Sequence, residues 1–249
     1  MNRRRFVITA ASALLTANTH AETRPRIAII IDDLGYQLAA GRRALELPGP
    51  IAFAVLPETP YGRRLAMLAN EAGREVLLHL PLESVNHEGP AEPGGITLDM
   101  SRGVFGAAFA EAIETVPFAV GVSSHRGSLL TRHPGHMAWL MEEIRAREDL
   151  FFIDSYTTHE SIALQVAREE GVTATRRDVF LDHERTVEAV SREFERLKKK
   201  ARKQGHAVGI GHPFPETLEV LEEQLPLLEE QGFELVTIGK LMRDERNRI

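Results

Sequence analysis

The stretch "RIAIIIDDLGYQ", Arg26–Gln37, drives an apolar run straight into two neighbouring carboxylates and a glycine. A short run this rich in isoleucine reads as a strand buried on both faces. Asp32 and Asp33 then repel each other, and each costs free energy to desolvate without a cation or donors nearby. Either Asp33 caps a helix beginning near Gln37, or the pair holds something.

The same pattern recurs along the chain. "IAFAVL" (51–56), "EVLLHL" (75–80), "FAVGVSS" (118–124), "LFFIDS" (150–155), "VTATRRDVFL" (172–181), "HAVGIG" (206–211) and "ELVTIG" (234–239) all read as strands. Helix-period segments separate them at 37–46, 61–72, 102–115, 135–147, 159–170, 185–204 and 216–231. Thr157 and Glu160 have capping-box spacing, and Pro215 suits a first helical turn. Gly73, Gly171, Gly205 and Gly232 follow helix ends. Strand–helix alternation repeated seven or eight times predicts parallel strands covered by helices. A (β/α) barrel, complete or lacking a unit, and an open doubly wound sheet both fit. No Pro/Ser-rich linker divides residues 22–249, which read as one domain. The longest irregular stretch is Ser84–Ser101, and "KKKARK" (198–203) reads as the solvated, cationic end of a helix.

Residues 1–21 differ from the rest. A basic start, "MNRRRF", precedes the short apolar "VITAASALLTA" and a small-residue region ending at Ala21. This is the layout of an export signal, Sec or twin-arginine, and it is too short to span a membrane. Its removal takes three arginines and no acid, turning the net charge of -6 into -9. Such acidity argues against nucleic acid and anionic membranes as partners, and no stable membrane insertion is expected after cleavage. With no cysteine in 249 residues, disulfides, thiolate metal sites and a Cys nucleophile are excluded. An exported, periplasmic protein is the expectation.

In parallel α/β folds the site lies beyond the carboxyl ends of the strands. Ionisable residues collect there: Asp32 and Asp33, Glu58, His79 and Glu83, His125, Asp154, Arg177 and Asp182, and His212. Taken singly, His79 could be a buried histidine bonded to backbone, and His212 could merely set a turn before Pro213. Together, a carboxylate pair and three histidines at one rim match a metal-assisted hydrolase. Two imidazoles and a carboxylate can fill three positions of a zinc-like site, leaving the fourth for water. A second carboxylate can take that water's proton, and a histidine opposite can protonate a leaving nitrogen.

Through "AIIIDDLG", "FAVLPETP", "LLHLPLE", "GVSSHRGS", "FFIDSYT", "RRDVFLD" and "GIGHPFPET", the chain resembles the divergent polysaccharide deacetylases, exported relatives of the carbohydrate esterases. The resemblance implies an α/β fold, an incomplete or distorted (β/α)7–8 barrel. It implies Asp33, His79 and His125 as ligands of a divalent metal, Zn2+ foremost, with Asp32 as general base and His212 as general acid. The two aspartates' roles could be reversed. Arg177 and Asp154 are implied as a supporting pair, with Arg177 orienting Asp32. The implied substrate is a glycan, peptidoglycan or another envelope polysaccharide, losing N-acetyl groups. Two features depart from the family: its usual pair of histidines four apart is missing, and Arg126 follows His125. A degenerate barrel that binds glycan or an envelope partner without turnover is therefore the rival. A phosphoesterase on an open sheet is a third reading, although no Gly-rich phosphate cradle follows the first strand.

Overall fold

The computed structural model describes residues 24–86, 92–147 and 149–246; the export signal expected at 1–21 lies outside them. In order, the chain forms β1 (Arg26–Leu34), α1 (Leu38–Leu45), β2 (Ala52–Val55), α2 (Gly62–Glu71), β3 (Glu75–Leu82), α3 (Arg102–Thr115), β4 (Ala119–Arg126) and α4 (Pro134–Arg145). It continues through β5 (Phe151–Asp154), α5 (Ala163–Glu169), β6 (Ala174–Arg176), β7 (Val179–Phe180), α6 (Val187–Gln204), β8 (His206–Gly211), α7 (Pro215–Gln224), β9 (Glu234–Leu235) and α8 (Ile238–Arg246).

All pairings are parallel, and the sheet runs β6-β5-β4-β3-β2-β1-β8-β7, with β9 joined to the start of β1. Its two edges, β6 and β7, are consecutive pieces of one stretch. Ala174–Arg176 pairs with β5 and Val179–Phe180 with β8. Between them the Arg177 N–H donates to Asp154 O at 3.0 Å and the Asp178 N–H to Val208 O at 2.9 Å. A single strand thus serves both edges, which makes this the distorted barrel rather than the open sheet.

Side-chain alternation along β1 explains its unbroken apolar run. Ala28 and Ile30 join Ala52, Ala54, Leu77, Ile153, Val208 and Ile210 in one buried cluster, the inside of the curled sheet. Ile27, Ile29 and Ile31 join the other cluster, beneath the helices. The small alanines leave room within the ring, and Ile238, Leu241 and Met242 of α8 fill it from the amino ends of the strands.

Several expectations at element ends are corrected. "ELVTIG" is strand only at Glu234–Leu235, and its second half opens α8, whose apolar residues plug the barrel. The helix expected over 216–231 breaks at Gln224 into a short 3-10 turn, because Pro226 lacks the N–H that an α-helix needs. The Thr157/Glu160 capping box does not form; α5 begins at Ala163, and the Thr157 hydroxyl donates instead to Arg126 O at 2.5 Å. Pro215 does open α7, and Gly73, Gly171 and Gly205 adopt positive φ beyond helix ends, whereas Gly232 does so at the end of a turn. Within "KKKARK", Lys198 is buried rather than solvated, its ammonium 2.8 Å from Gln231 Oε1.

Candidate metal centre

The inward face of the ring is apolar at depth and turns polar at the carboxyl ends of the strands. Two residues beyond Ile30 comes Asp32, and two beyond Leu77 comes His79. Gly121 and Ser123 lead to His125, Phe180 to Asp182, and Ile210 to His212. A period of two therefore aims all five side chains into one mouth.

Asp33 breaks that rule and needs its own device. On a regular strand it would face away from Asp32. Instead the β1–β2 register slips between Ile31 and Leu34, and Asp33 takes a left-handed conformation with φ 61°. The bulge swings the second carboxylate onto the first one's side. Left-handed backbone costs a non-glycine residue on the order of 1 kcal/mol, and Asp tolerates it better than most. Asp33 is not a helix cap: α1 starts from Gln37 with no side-chain cap.

Three donor atoms meet at this bulge. Asp33 Oδ1 lies 2.9 Å from His125 Nδ1 and 3.2 Å from His79 Nε2, and the two ring nitrogens are 3.1 Å apart. A tetrahedral ion with bonds of ~2.0–2.1 Å holds its ligands about 3.3 Å apart, so the triangle is close to ligand spacing. Asp33 Oδ1 and Asp32 Oδ1 are both buried, and among the described residues neither has an aligned hydrogen-bond donor. An oxygen so enclosed is the expected companion of a cation. Two nitrogens and a carboxylate oxygen form a donor set that suits a zinc-like ion. Behind them, His79 Nδ1 contacts Ser123 Oγ at 2.7 Å and His125 Nε2 lies 3.1 Å from Glu92 Oε2.

The charges are arranged to match. Burial alone would raise the Asp33 carboxyl, but the His125 and His79 imidazoles against it hold it well below the usual range. Asp32, 3.5 Å from His79 Nε2, moves the other way: burial lifts it, over the opposing pull of His79 and His212. His212 is raised although burial works against its charge, chiefly because Asp182 Oδ1 sits 2.9 Å from its Nδ1. Asp182 is fixed in turn by the Thr217 hydroxyl, which donates at 2.8 Å. The other nitrogen of His212 points at Asp33 Oδ2, 3.5 Å away.

Asp32, Asp33, His79, His125 and His212 are thus brought together. Asp154 and Arg177 stand apart from that group. Arg177 donates to the carbonyls of Ser155 (2.7 Å) and Tyr156 (2.9 Å), and its guanidinium lies over the Phe180 ring. Its charge is felt by Asp32 and Asp154, yet its hydrogen bonds run to backbone carbonyls. Asp154 accepts from the Tyr156 N–H and from the Ser161 hydroxyl at 2.7 Å. Both residues tie down the chain beyond β5. Sequence reasoning passed over Ser123 and Glu92, and it set Asp182 beside Arg177 rather than behind His212. A period-2 count through "FAVGVSS" and "RRDVFLD" would have placed Ser123 and Asp182 inward.

The family model described as divergent polysaccharide deacetylase matches residues 29–242. An uncharacterized protein of Haemophilus influenzae is 36% identical over 239 residues, covering 96% of this chain and 84% of that protein. Among solved structures, an uncharacterized protein from Agrobacterium tumefaciens C58 superposes with a TM-score of 0.84 at 22% identity, covering 89% of this chain and 90% of that one. A CE4 family pseudoenzyme from Bacillus anthracis gives a TM-score of 0.55 at 15% identity, covering 88% of this chain and 66% of that one. A variant of the peptidoglycan deacetylase PdaC from Bacillus subtilis gives 0.52 at 15% identity, covering 90% and 93%. At these identities the structural likenesses establish a shared fold.

Proposed function

The chain belongs to the divergent polysaccharide deacetylase family, and from that premise we propose that it is a periplasmic, metal-dependent hydrolase. It removes N-acetyl groups from a polysaccharide of the bacterial envelope, peptidoglycan among the candidates, after export through the segment 1–21. The observation that carries this reading is the convergence of Asp33 Oδ1, His79 Nε2 and His125 Nδ1 within 3.2 Å of one another. These three residues would hold a divalent ion, Zn2+ by their donor set. Such an ion, when bound, supplies Lewis acidity and makes a water acidic enough to attack near neutral pH.

The remaining chemistry falls to the chain's own side chains. Asp32 is buried, has an oxygen without a donor and is raised above its ordinary value, as suits a group that takes up a proton. Asp182 raises His212 above its ordinary value, against the effect of burial, and the other ring nitrogen of His212 faces the mouth. It gives its proton to the leaving nitrogen as the amide C–N bond breaks, so that acetate and a free amine depart. Burial raises Asp32 and the Asp182 carboxylate raises His212, two different causes that suit one group to take a proton and the other to give it.

The test is acetate release from N-acetylated glycan oligosaccharides by the zinc-loaded protein. Asp32→Asn should lower the rate by at least ~100-fold, the ordinary reach of general base catalysis. Full zinc occupancy with no acetate from any acetylated glycan would overturn the enzymatic reading. It would favour a barrel that binds glycan without turnover. The Arg126 guanidinium, placed beside a ligand histidine and 2.8 Å from Glu92, is the feature that speaks for that alternative.

A further inference from the structure

The geometry points to Glu92 as a positioning residue for His125: its carboxylate accepts the Nε2 proton of that imidazole and so fixes the tautomer whose Nδ1 lone pair faces Asp33 and His79. The inference rests on the reading of Asp33, His79 and His125 as ion ligands. It adds a residue on a loop that belongs to no strand of the barrel.

A neutral imidazole carries one proton and has two places to put it. For His125 those places are both beside carboxylates. Asp33 Oδ1 is 2.9 Å from Nδ1, and Glu92 Oε2 is 3.1 Å from Nε2. With Glu92 absent, Asp33 alone would draw the proton to Nδ1, where it would block a cation. With Glu92 present, the Nε2 proton has an acceptor of its own, and Nδ1 is left open. His79 has a weaker guide. The Ser123 hydroxyl at its Nδ1 can donate or accept, and so leaves the choice of tautomer open. Glu92 also answers the oddity of Arg126. Its Oε1 lies 2.8 Å from Arg126 Nε, so one carboxylate offsets the cation next to a ligand and holds the ligand's ring.

The loop is built to deliver this carboxylate. Glu92-Pro93-Gly94-Gly95 forms a turn in which the Gly95 N–H donates to Glu92 O at 2.8 Å, and Gly94 has φ 64°. A left-handed third residue is what a type II turn requires, and proline is common second. A Cβ on Gly94 would come within 2.7 Å of Pro57, so the turn is seated against the β2 loop. Immediately afterwards Ile96 is bonded to the end of β3: its N–H donates to Pro81 O at 2.9 Å, and its carbonyl accepts from the Glu83 N–H at 3.0 Å.

The experiment uses the full chain with Glu92→Ala and Glu92→Gln. Zinc affinity is read by competition with a chromophoric chelator, and the His125 ring proton by long-range proton–nitrogen correlation in the metal-free protein. Glu92→Ala should bind zinc about 10–100-fold more weakly and lose the Nε2-protonated form, with an unchanged melting curve. Glu92→Gln should recover most of the affinity, because its amide oxygen still accepts. Wild-type affinity in Glu92→Ala with the proton still on Nε2 would overturn the assignment. So would full recovery in the Glu92→Ala/Arg126→Ala double variant, which would reduce Glu92 to a screen for the arginine. Should the wild type take up no zinc at all, the metal-centre reading falls, while the ring proton in wild type against Glu92→Ala still decides what Glu92 does.

Discussion

The two walls of the barrel mouth spend their polar residues differently. On the wall made by β1, β3 and β4, polar atoms point at one another: Asp33, His79 and His125 crowd together, and two carboxylate oxygens find no aligned donor among the described residues. On the wall made by β5 and the β6–β7 stretch, polar atoms point at the backbone. Arg177 serves two carbonyls, and Asp154 accepts from an N–H and a nearby hydroxyl. The Asp182–His212 pair reaches across toward the first wall, with His212 Nε2 3.5 Å from Asp33 Oδ2. The lesson is that an ionisable residue at a strand end can serve either a ligand or the fold. What separates the two is where its hydrogen bonds go, and that is visible only in three dimensions.

The sharpest way to break this contrast is to delete a member of the first wall. Zinc sites distribute ~10–16 kcal/mol over four ligands, so losing one of three should cost on the order of 3 kcal/mol. His79→Ala is accordingly expected to lower zinc affinity by a hundredfold or more, as chelator competition would show. An affinity within threefold of wild type would mean that the triangle is not the site. On the second wall, Arg177→Met should leave two carbonyls without their charged donor. Bonds to charged groups are worth ~1.5–3 kcal/mol, so urea unfolding should show a loss of about 2–3 kcal/mol, with zinc affinity unchanged. A large loss of zinc with no loss of stability would return Arg177 to the site.

Smaller effects refine the picture. Gly94→Ala strains a left-handed turn and presses on Pro57, which should weaken zinc binding by roughly three- to tenfold through Glu92, at ~1 kcal/mol of stability. Asp154 gives the mildest test, through pH. Burial raises its carboxyl in the folded protein above the unfolded value, with Ser161 and Tyr156 only partly offsetting this. Its contribution to stability is then fully present below the unfolded value near 4 and declines as pH rises through the folded one. Asp154→Asn should flatten that decline in denaturant titrations run across acidic to neutral pH; an unchanged slope would remove Asp154 as its source.

Much of this was legible in the order of residues. The alternation of buried strands with amphipathic helices predicts a parallel sheet covered by helices, the family resemblance chooses the barrel over the open sheet, and Asp32, Asp33, His79, His125 and His212 collect at its strand ends. What could not be read has identifiable physical causes. The bulge that turns Asp33 inward depends on a register slip between two strands, which no local propensity encodes. The strand-end positions of Asp154 and Arg177 look the same in sequence as that of His79, because partner choice is a tertiary matter. Glu92 lies in a segment whose Pro-Gly-Gly composition announces a turn but not the histidine that it faces. The start of α8, Ile238–Gly239, falls within "ELVTIG", which reads as a strand because it is short and apolar, and burial inside a ring disguises helical period.

The closure of the ring has a consequence for how the chain comes into being. Strand β8 pairs with β1 on one side and β7 on the other, so every shorter nascent product keeps two raw sheet edges open to strangers. The residue immediately beyond β8 is His212. One late-emerging segment both seals the sheet and brings the proton donor, which means that a half-made molecule, however sticky, carries no complete set of reactive groups.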